Sequence, residues 1–395
     1  MTELSFPRRV YIDEPFEDII RSIIEYHGLR RILVVTDKQV SQLDFFNNLT
    51  STLDDVGADY KTYRDVEPEP SVDDVYSAYQ ELRGEFDAVI AVGGGSVIDF
   101  GKALYLYLKK GEGFDIRDVA PFNPLRVEYN KPILVVIPTT SGTGSDASYG
   151  IVLSDVREGR RVKLALGSYE IVPHITILDH RIVMGLPRKL TIGTAVDALS
   201  HAVESLVAID ANPFSIPYSI HVILTIFKYL PIVVDNPANE DARREIHIAA
   251  TMAGIAFTNA GLGLAHAMAH PLGAQLKMHH GTIVGLLLPY VVRYNYGSDE
   301  ARVRYEDLRV TLEKSLSIPE EPTLAHHILN LYKKVGQPIS LLEAGYEEDR
   351  VAEVIDTVAE LTLQDPEIVF NPRPPTYEDI RKILNNALYG ELGSI

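Results

Sequence analysis

AVIAVGGGSVIDFGK, residues 88–102, is the stretch that decides the fold of this chain. A short apolar run leads directly into Gly93, Gly94 and Gly95, and apolar residues at helical spacing follow them. A buried strand, a glycine turn and a helix in this order are typical of a βα unit in a parallel sheet, and we expect Ser96 to cap the helix. The backbone N–H groups of such a loop, together with the partial positive charge of the helix N-terminus, favour a bound pyrophosphate. An ordinary tight turn is the alternative.

A second loop of the same kind supports a nucleotide site. PTTSGTGSDAS, residues 138–148, follows the buried run Ile133 to Ile137 and is rich in hydroxyl groups and glycines. Two such loops at strand ends fit a nucleotide that lies across the carboxyl edge of a sheet. Asp37, at the end of the earlier run ILVVTD, is suited to accept hydrogen bonds from a ribose diol and to repel a 2′-phosphate. The alternative for Asp37 is an ordinary turn residue at the end of a strand.

The segments around these loops divide the chain into two halves. In the first half, short β-rich runs alternate with helical periodicity, as in βα units around a parallel sheet. In the second half the β signal is lost, and long apolar segments with helical spacing follow to the end. Capping-box pairs, Ser71 with Asp74 and Thr376 with Asp379, predict one helix start in each half. We therefore predict an α/β domain with a parallel sheet over residues 1–186 and an all-helical domain over residues 187–395.

The composition limits the classes of function. The 395 residues include 37 Lys and Arg against 55 Asp and Glu, and the net charge of -18 repels nucleic-acid backbones and anionic lipid surfaces. The chain has no Cys, which excludes disulfides, Cys-bound zinc, iron–sulfur clusters and thiol nucleophiles. Any metal must therefore be held by His and carboxylates. The sequence shows neither a signal peptide nor an apolar membrane span, and we expect a cytoplasmic protein.

Histidines are concentrated in the second half. Seven of the 12 lie between His201 and His280. Asp197 and His201 are four residues apart on a predicted helix, and His266 and His270 repeat that spacing, so each pair projects from one helix face. One carboxylate and several imidazoles suit a divalent metal such as iron(II) or zinc.

Individual members of this group have ordinary alternatives. Asp197 with His201 is also a common type of pair on a helix surface. Glu204 is expected to be either a solvated residue or a hydrogen-bonding neighbour of the site rather than a ligand. Of the adjacent His279 and His280, His280 is the predicted ligand because it precedes Gly281. Joint binding of one ion by two consecutive residues is awkward.

Taken in order along the chain, these motifs resemble the landmarks of the iron-containing, group III alcohol dehydrogenases. The similarity spans nearly the whole chain, and the family implies a dehydroquinate synthase-like architecture. That architecture has an N-terminal Rossmann-like nucleotide-binding domain, an all-α metal-binding and catalytic domain, and a catalytic metal in the cleft between them. The matching segments are GGGSVIDFGK, PTTSGTGSDAS, DALSHAVES followed by ANPFS, NAGLGLAHAMAHPLGA, HHG and NPRPPT.

The resemblance also implies roles for individual residues. His270 would be a proton relay beside the nicotinamide and not a ligand, and Asp37 would go with NAD rather than NADP. The chain departs from the family at Asp146, where Glu is common, at His279, where Pro is common, and at Glu69, where Asn is frequent. The implied metal ligands, which with His270 form the catalytic group, are Asp197, His201, His266 and His280. The residues implied to bind the cofactor are Asp37, Gly94, Gly95, Ser96, Asp99, Thr139, Thr140, Thr143 and Lys163.

These observations predict a metal-dependent alcohol dehydrogenase or aldehyde reductase. A divalent ion bound by one carboxylate and three neutral imidazoles keeps a positive charge, so it favours an alkoxide over an alcohol. The alkoxide then transfers a hydride to the nicotinamide. We expect NAD, with NADP as the alternative, and iron(II), with zinc as the alternative. Lys277 is the one basic residue inside the histidine cluster, which argues against a phosphorylated substrate. Apolar residues near the cluster favour a small uncharged alcohol or aldehyde: Phe257, Leu262, Leu264 and Met268.

Three other functions fit parts of the pattern. A glycerol dehydrogenase and a dehydroquinate-synthase-like lyase belong to the same superfamily, and the lyase needs a basic phosphate pocket that the sequence does not show. A non-catalytic protein in which a metal only joins helices would leave the glycine loops without a role. A homodimer is expected from the resemblance alone.

Overall fold

The computed structural model describes residues 3–120, 125–128, 130–157 and 160–393. The chain divides into two compact units, Met1–Gly185 and Leu186–Ile395. The strands of the first unit are β1 (Arg9–Ile12), β2 (Arg31–Val35), β3 (Asp59–Tyr63), β4 (Ala88–Gly93), β5 (Ile133–Pro138), β6 (Gly150–Arg157), β7 (Arg160–Gly167) and β8 (Ile175–Leu178). Its helices are α1 (Phe16–His27), α2 (Asp44–Asp55), α3 (Val72–Glu81) and α4 (Gly95–Lys110).

Six of these strands form one parallel sheet in the order β1-β8-β5-β4-β2-β3, and β6 pairs with β7 as an antiparallel hairpin. The predicted parallel α/β fold is confirmed. Numbered from β2 without the hairpin, the inner order is the 2-1-3-4-5 arrangement of doubly wound sheets. From β2 the next strand, β3, is added on one side, and β4 and the later strands of the sheet are added on the other side. In such sheets ligands bind at the point where the order of strand addition changes side, outside the carboxyl ends of the strands.

The side-chain pattern of the central strands explains why helices cover both faces. In β2, Ile32 and Val34 pack in one apolar cluster with α1 and α2, while Leu33 and Val35 pack in another with α3 and α4. All six residues of β4 are buried. A strand buried on both faces reads as a continuous apolar run, which is why β4 was predictable.

The edge strands were not predicted. In β1 the two end residues are exposed and the two middle residues are half-buried. In β3 no residue is fully buried either. Without a continuous apolar run or a clean alternation, neither pattern distinguishes a strand from a loop. The expected N-cap is also wrong by two residues. Gly94, not Ser96, is the N-cap of α4, and no side chain caps this helix.

The second unit is all-helical in the part of the chain that the structure describes, as predicted. Both predicted capping boxes are present, at Ser71 with Asp74 and at Thr376 with Asp379. A short 3-10 helix, Pro366–Phe370, precedes the last helix. The α-helices are α5 (Arg188–Val207), α6 (Ser215–Asp235), α7 (Glu240–Thr258), α8 (Leu264–Leu276), α9 (His280–Asn295), α10 (Asp299–Leu316), α11 (Leu324–Val335), α12 (Glu348–Thr362) and α13 (Tyr377–Tyr389).

Helix α6 is long and apolar. It is long enough to cross a bilayer, and its most apolar window has a mean hydropathy of 1.5 with 44% of that window buried. Residues such as Val222, Ile223 and Ile226 are fully buried in the core of the unit. Core helices of folded domains meet the same two criteria, so the helix is weak support for a membrane span.

Candidate active site

Helix α5 carries the first two predicted metal ligands. Asp197 and His201 are 2% and 4% exposed, so the alternative of a helix-surface pair is wrong. The helix is buried on all sides from Thr191 to Val207, because α6, α7 and α9 pack around it. Burial of a carboxylate and an imidazole is costly unless a partner compensates.

Helix α8 brings the third ligand, and Glu204 orients it. His266 is 1% exposed, and its Nδ1 forms a short hydrogen bond with Glu204 Oε2. Glu204 Oε1 accepts a second hydrogen bond, 2.6 Å long, from the backbone N–H of Ala265 in the first turn of α8. With Nδ1–H donated to the carboxylate, the lone pair of His266 Nε2 is available to a metal. Glu204 is therefore a buried hydrogen-bonding neighbour, and the solvated alternative is wrong.

The donor atoms of three predicted ligands converge. One donor atom each from Asp197, His201 and His266 lies within 4.8 Å of the others. Asp197 Oδ1 is 3.9 Å from His266 Nε2 and 3.8 Å from His280 Nε2. Two atoms that each bind one ion at about 2.1 Å are at most about 4.2 Å apart, so both distances suit a shared cation.

The donor set fits a divalent metal on two further grounds. Among the described residues, the buried atoms Asp197 Oδ1 and His266 Nε2 have no hydrogen-bond partner. Burial raises the pKa of Asp197 to about 7 and that of Glu204 to about 8, and burial lowers the pKa of His266 to about 3. Two buried carboxylates and a neutral imidazole around one point need a positive charge to keep the carboxylates ionised.

The HHG segment places the fourth predicted ligand through a close helix contact. His280 is the first residue of α9, and its ring centre is 5.6 Å from that of His266. A Cβ at Gly281 would lie 2.9 Å from Asp197 Cβ and closer still to Gly193 O, so only glycine lets α9 begin this close to α5. His279 is the exposed N-cap residue of α9.

His270, one turn after His266, has a different partner. Its Nδ1 lies 2.7 Å from Asp365 Oδ2, and both side chains are about nine-tenths buried. Asp365 caps the 3-10 helix Pro366–Phe370, because its Oδ1 accepts a hydrogen bond from the backbone N–H of Glu367. Asp365 was not among the residues predicted from the sequence. An aspartate before proline is common in surface turns, and only its position shortly before NPRPPT was a signal.

One of the apolar residues predicted near the cluster lies against it. The ring centre of Phe257 is 4.7 Å from that of His201. Leu264 and Met268 are fully buried and belong to the core of the second unit, so ordinary helix packing explains them. Leu262 is 7% exposed.

In the first unit, the two glycine loops lie side by side. Gly93 at the end of β4 is paired with Pro138 at the end of β5, and Thr139 N donates to Gly93 O at 3.0 Å. A Cβ at Gly95 would lie 2.7 Å from Thr143 Cγ2, and one at Gly94 would lie 3.4 Å from Thr140 Cγ2. The glycines therefore allow the loops to pack together. They also leave the first backbone N–H groups of α4 without a side-chain cap, as an anion site requires.

Asp37 and Lys163 already have partners. Asp37 Oδ1 accepts hydrogen bonds from the backbone N–H groups of Gln39 and Val40, both 2.8 Å long, so the turn-residue role exists whether or not a ribose binds. Lys163 Nζ lies 2.7 Å from Glu69 Oε1. Glu69 has a left-handed backbone with φ of 54°, a conformation that Asn tolerates better than Glu.

Asp99 is an internal brace in this structure. It is 8% exposed, Oδ2 accepts a 2.8 Å hydrogen bond from Val152 N in β6, and Oδ1 accepts one from the hydroxyl of Ser145. Burial raises the pKa of Asp99 and lowers that of the neighbouring Lys102 to about 8. Lys102 Nζ donates to the carbonyl oxygens of Ser148 and Gly150, at 2.8 and 2.9 Å. Together the pair connects α4 to the second loop and the hairpin.

Comparison with known proteins covers both units. A family model described as iron-containing alcohol dehydrogenase matches residues 7–180, and one described as the C-terminal region of the Fe-containing alcohol dehydrogenase family matches residues 191–388. An alcohol dehydrogenase of Thermococcus barophilus is 34% identical over 98% of this chain and 100% of its own length. An NADPH-dependent butanol dehydrogenase of Clostridium saccharobutylicum is 30% identical over 99% of both chains.

The fold is also similar to that of solved iron-containing alcohol dehydrogenases. The iron-containing alcohol dehydrogenase of Thermococcus thioreducens superposes with a TM-score of 0.88 at 31% identity, covering 98% of this chain and 100% of that chain. The chain spans about half the length of other relatives. It covers 46% of the aldehyde-alcohol dehydrogenase of Streptococcus pneumoniae, at 31% identity over 99% of this chain.

Proposed function

Because the chain belongs to the iron-containing alcohol dehydrogenase family, we propose that it is a metal-dependent, NAD-linked oxidoreductase that interconverts small uncharged alcohols and aldehydes. The observation that carries the proposal is the buried cluster of Asp197, His201 and His266, whose donor atoms lie within 4.8 Å of one another. The cluster combines one carboxylate with imidazoles, as expected for iron(II) or zinc.

The metal would be held by Asp197, His201, His266 and His280. A bound divalent cation would supply a positive charge that lowers the pKa of an alcohol hydroxyl and polarises an aldehyde carbonyl. Glu204 holds His266 in the tautomer that presents Nε2 to the centre. Gly281 keeps His280 next to Asp197 by allowing α9 to start against α5.

His270 is suited to move the proton of the substrate hydroxyl. When its Nδ1–H is donated to Asp365, the neutral ring keeps a lone pair on Nε2. That nitrogen can accept a proton during alcohol oxidation and return it during aldehyde reduction, while the carboxylate of Asp365 stabilises the imidazolium in between. His270 is thus proposed as the proton relay, and Asp365 as the residue that positions it.

The glycine loops are proposed to bind the pyrophosphate of a nicotinamide dinucleotide, which supplies the hydride acceptor. Gly94, Gly95 and Ser96 offer the uncapped N-terminus of α4. The neighbouring hydroxyls of Thr139, Thr140 and Thr143 are proposed to line the same site. Asp99 and Lys163 are the remaining residues proposed for the cofactor site. Asp99 is hydrogen-bonded to β6 and holds α4 in place, and Lys163 supplies a cation beside Glu69.

Asp37 is proposed to select NAD. Its Oδ1 is engaged by two backbone N–H groups, and its carboxylate would repel a 2′-phosphate at the end of β2. The relative named as NADPH-dependent shows that the other cofactor occurs among similar proteins. A homodimer and a cytoplasmic location are proposed from the family resemblance and the composition. Light scattering of the purified protein and cell fractionation test these two points.

The proposal is tested by elemental analysis of the purified protein together with assays of an alcohol and aldehyde panel with NAD and NADP. We expect about one iron or zinc per chain, and turnover of short alcohols that is lost on chelation and restored by the metal. An Asp197→Ala variant should lose metal and activity together. An Asp241→Ala variant, changed in the first turn of α7, is the matched control and should keep both.

Two outcomes would contradict the proposal. Full activity of a metal-free protein would exclude the metal mechanism, and stoichiometric metal without any binding of nicotinamide would favour a purely structural ion.

A further inference from the structure

A cavity of about 200 Å³ lies at the amino end of the parallel sheet, at the opposite edge from the glycine loops. Arg9, Ile133 and Ile175 line it, and they are the first residues of the neighbouring strands β1, β5 and β8. Nucleotides in doubly wound sheets bind at the carboxyl ends of the strands. The cavity is therefore separate from the proposed dinucleotide site.

The cavity is lined by cations in a protein of net charge -18. Arg8, Arg9 and Lys131 all contribute. Lys131 has a structural role, since its Nζ donates to Gly28 O at the C-terminal end of α1 and lies 3.4 Å from Asp87 Oδ1. Neither arginine has such a role: both are exposed, and neither forms an ion pair with a carboxylate of the described residues.

The position of Arg9 is fixed by aromatic neighbours and not by an acid. Its guanidinium lies 5.0 Å from the ring centre of Tyr26. The Arg9 side chain is also hydrogen-bonded to the side chains of Tyr11 and Tyr26. These contacts orient the group without neutralising its charge, and a guanidinium has five N–H donors, so donors remain for an anion.

Two imidazoles complete the lining. His27 Nε2 is buried and has no hydrogen-bond partner within the part of the chain described. His174 Nδ1 accepts a 3.2 Å hydrogen bond from Leu134 N, so the proton of the neutral ring is on Nε2. Burial and the charges of Lys109 and Arg8 lower the pKa of His174 to about 4, and burial with Arg9 and Arg8 lowers that of His27. Burial is the larger cause of both shifts, and the neighbouring cations act in the same direction.

The size of the cavity limits the ligand. Sites for drug-sized molecules occupy about 300–1,000 Å³, so a space of this size holds a single small group and not a dinucleotide. The planar guanidinium of arginine carries a positive charge and can donate two parallel N–H bonds to two oxygens of a phosphate. We propose that this cavity binds one phosphate group, as inorganic phosphate or as the phosphate of a small phosphomonoester, at a site independent of the proposed catalytic activity.

The test is calorimetric titration of the full-length protein in a chloride buffer with inorganic phosphate and, separately, with glycerol 3-phosphate. We expect saturable binding of one anion per chain. In the Arg8→Gln/Arg9→Gln double variant the dissociation constant should rise roughly tenfold or more, because each charge-assisted hydrogen bond contributes substantially. The matched control is Arg83→Gln, an exposed arginine that pairs with Glu112 outside the cavity, and it should bind like the unchanged protein.

The other outcomes are equally informative. Tighter binding of glycerol 3-phosphate than of inorganic phosphate supports the proposal and identifies a phosphomonoester as the ligand. Absence of saturable binding by the unchanged protein overturns it, as does binding that the double variant retains. Binding that saturating NAD abolishes also overturns it, because the anion would then occupy the dinucleotide site. Circular dichroism of the double variant checks that the fold is unchanged.

Discussion

His270 Nδ1 lies 2.7 Å from Asp365 Oδ2, and the two residues are 95 positions apart in the chain. The contact joins α8 to the 3-10 helix near the C-terminus and engages Nδ1 of the imidazole. A buried carboxylate in this position fixes the tautomer and orientation of a histidine, as in other acid–base sites.

Asp365→Asn should reduce kcat by about 10- to 100-fold, because an amide does not select the tautomer of His270 that carries its proton on Nδ1. The bound metal should be unaffected, since Asp365 contacts no proposed ligand in the described residues. The measurement is kcat against pH with metal content determined in parallel. Asp356→Asn, at an exposed carboxylate that pairs with Arg381, is the control. A normal pH profile of the Asp365→Asn variant would contradict the positioning role.

Glu204→Gln should weaken metal binding by about 10- to 100-fold, because the amide is a poorer acceptor for His266 Nδ1–H. The measurement is titration of the metal-free protein against a competing chelator. Glu353→Gln, at an exposed residue paired with Arg350, should leave the affinity unchanged. Equal affinities in all three proteins would show that Glu204 does not orient the ligand.

Gly281→Ala should destabilise the fold by about 1–3 kcal/mol and displace His280, because the added methyl group has no space between α9 and α5. Thermal unfolding and metal content measure the two effects. Gly273→Ala, inside α8, is the matched control. A Cβ there would lie 3.7 Å from its nearest neighbours, which is an ordinary van der Waals distance. This control should be neutral or stabilised by up to about 1 kcal/mol, because alanine favours a helix.

Asp179→Asn should lose about 1–3 kcal/mol of stability near neutral pH. Asp179 is 2% exposed and accepts a 3.1 Å hydrogen bond from Phe16 N at the start of α1. Burial opposes its ionisation, but Arg181 and the Phe16 N–H outweigh that effect and lower its pKa. A lowered carboxyl pKa stabilises the fold above the unfolded pKa of about 3.9, and the gain is lost as the pH falls through the folded value.

The two proteins should therefore differ in unfolding free energy at pH 7, and the difference should begin to shrink as the pH falls below about 4. Urea unfolding across this range measures the difference. A constant difference from pH 7 to pH 3 would show that the charge of Asp179 is not responsible.

Asp37→Ser should raise the ratio of kcat/KM with NADP to that with NAD by about tenfold or more, because the repulsion of a 2′-phosphate is removed. The serine hydroxyl can still accept a hydrogen bond in the turn that Asp37 now caps. Asp44→Ser, in the first turn of α2, is the control. An unchanged ratio would mean that Asp37 is an ordinary turn residue and does not select the cofactor.

Several features of the fold could be predicted because they are local. The apolar run of β4, the glycine end of α1 at Gly28 and both capping boxes depend on residues a few positions apart. The strands β1 and β3 could not be predicted, because sheet edges need no continuous apolar pattern. The N-cap of α4 was placed at Ser96 because serine is a common cap, but the helix begins at Gly95, which brings Val97 so close to Gly93 that a Cβ there would lie 2.5 Å from Val97 Cβ.

The amino-acid sequence by itself determined that an α/β half with glycine loops precedes an all-helical half, and which residue types are available to bind a metal. Only the tertiary structure decided that Asp197 and His201 are buried close to His266, that Glu204 binds His266, and that Asp365 binds His270. The reason is physical. Helix periodicity and capping arise from contacts over a few residues, whereas the Glu204–His266 and His270–Asp365 pairs join residues 62 and 95 positions apart and exist only where helices pack.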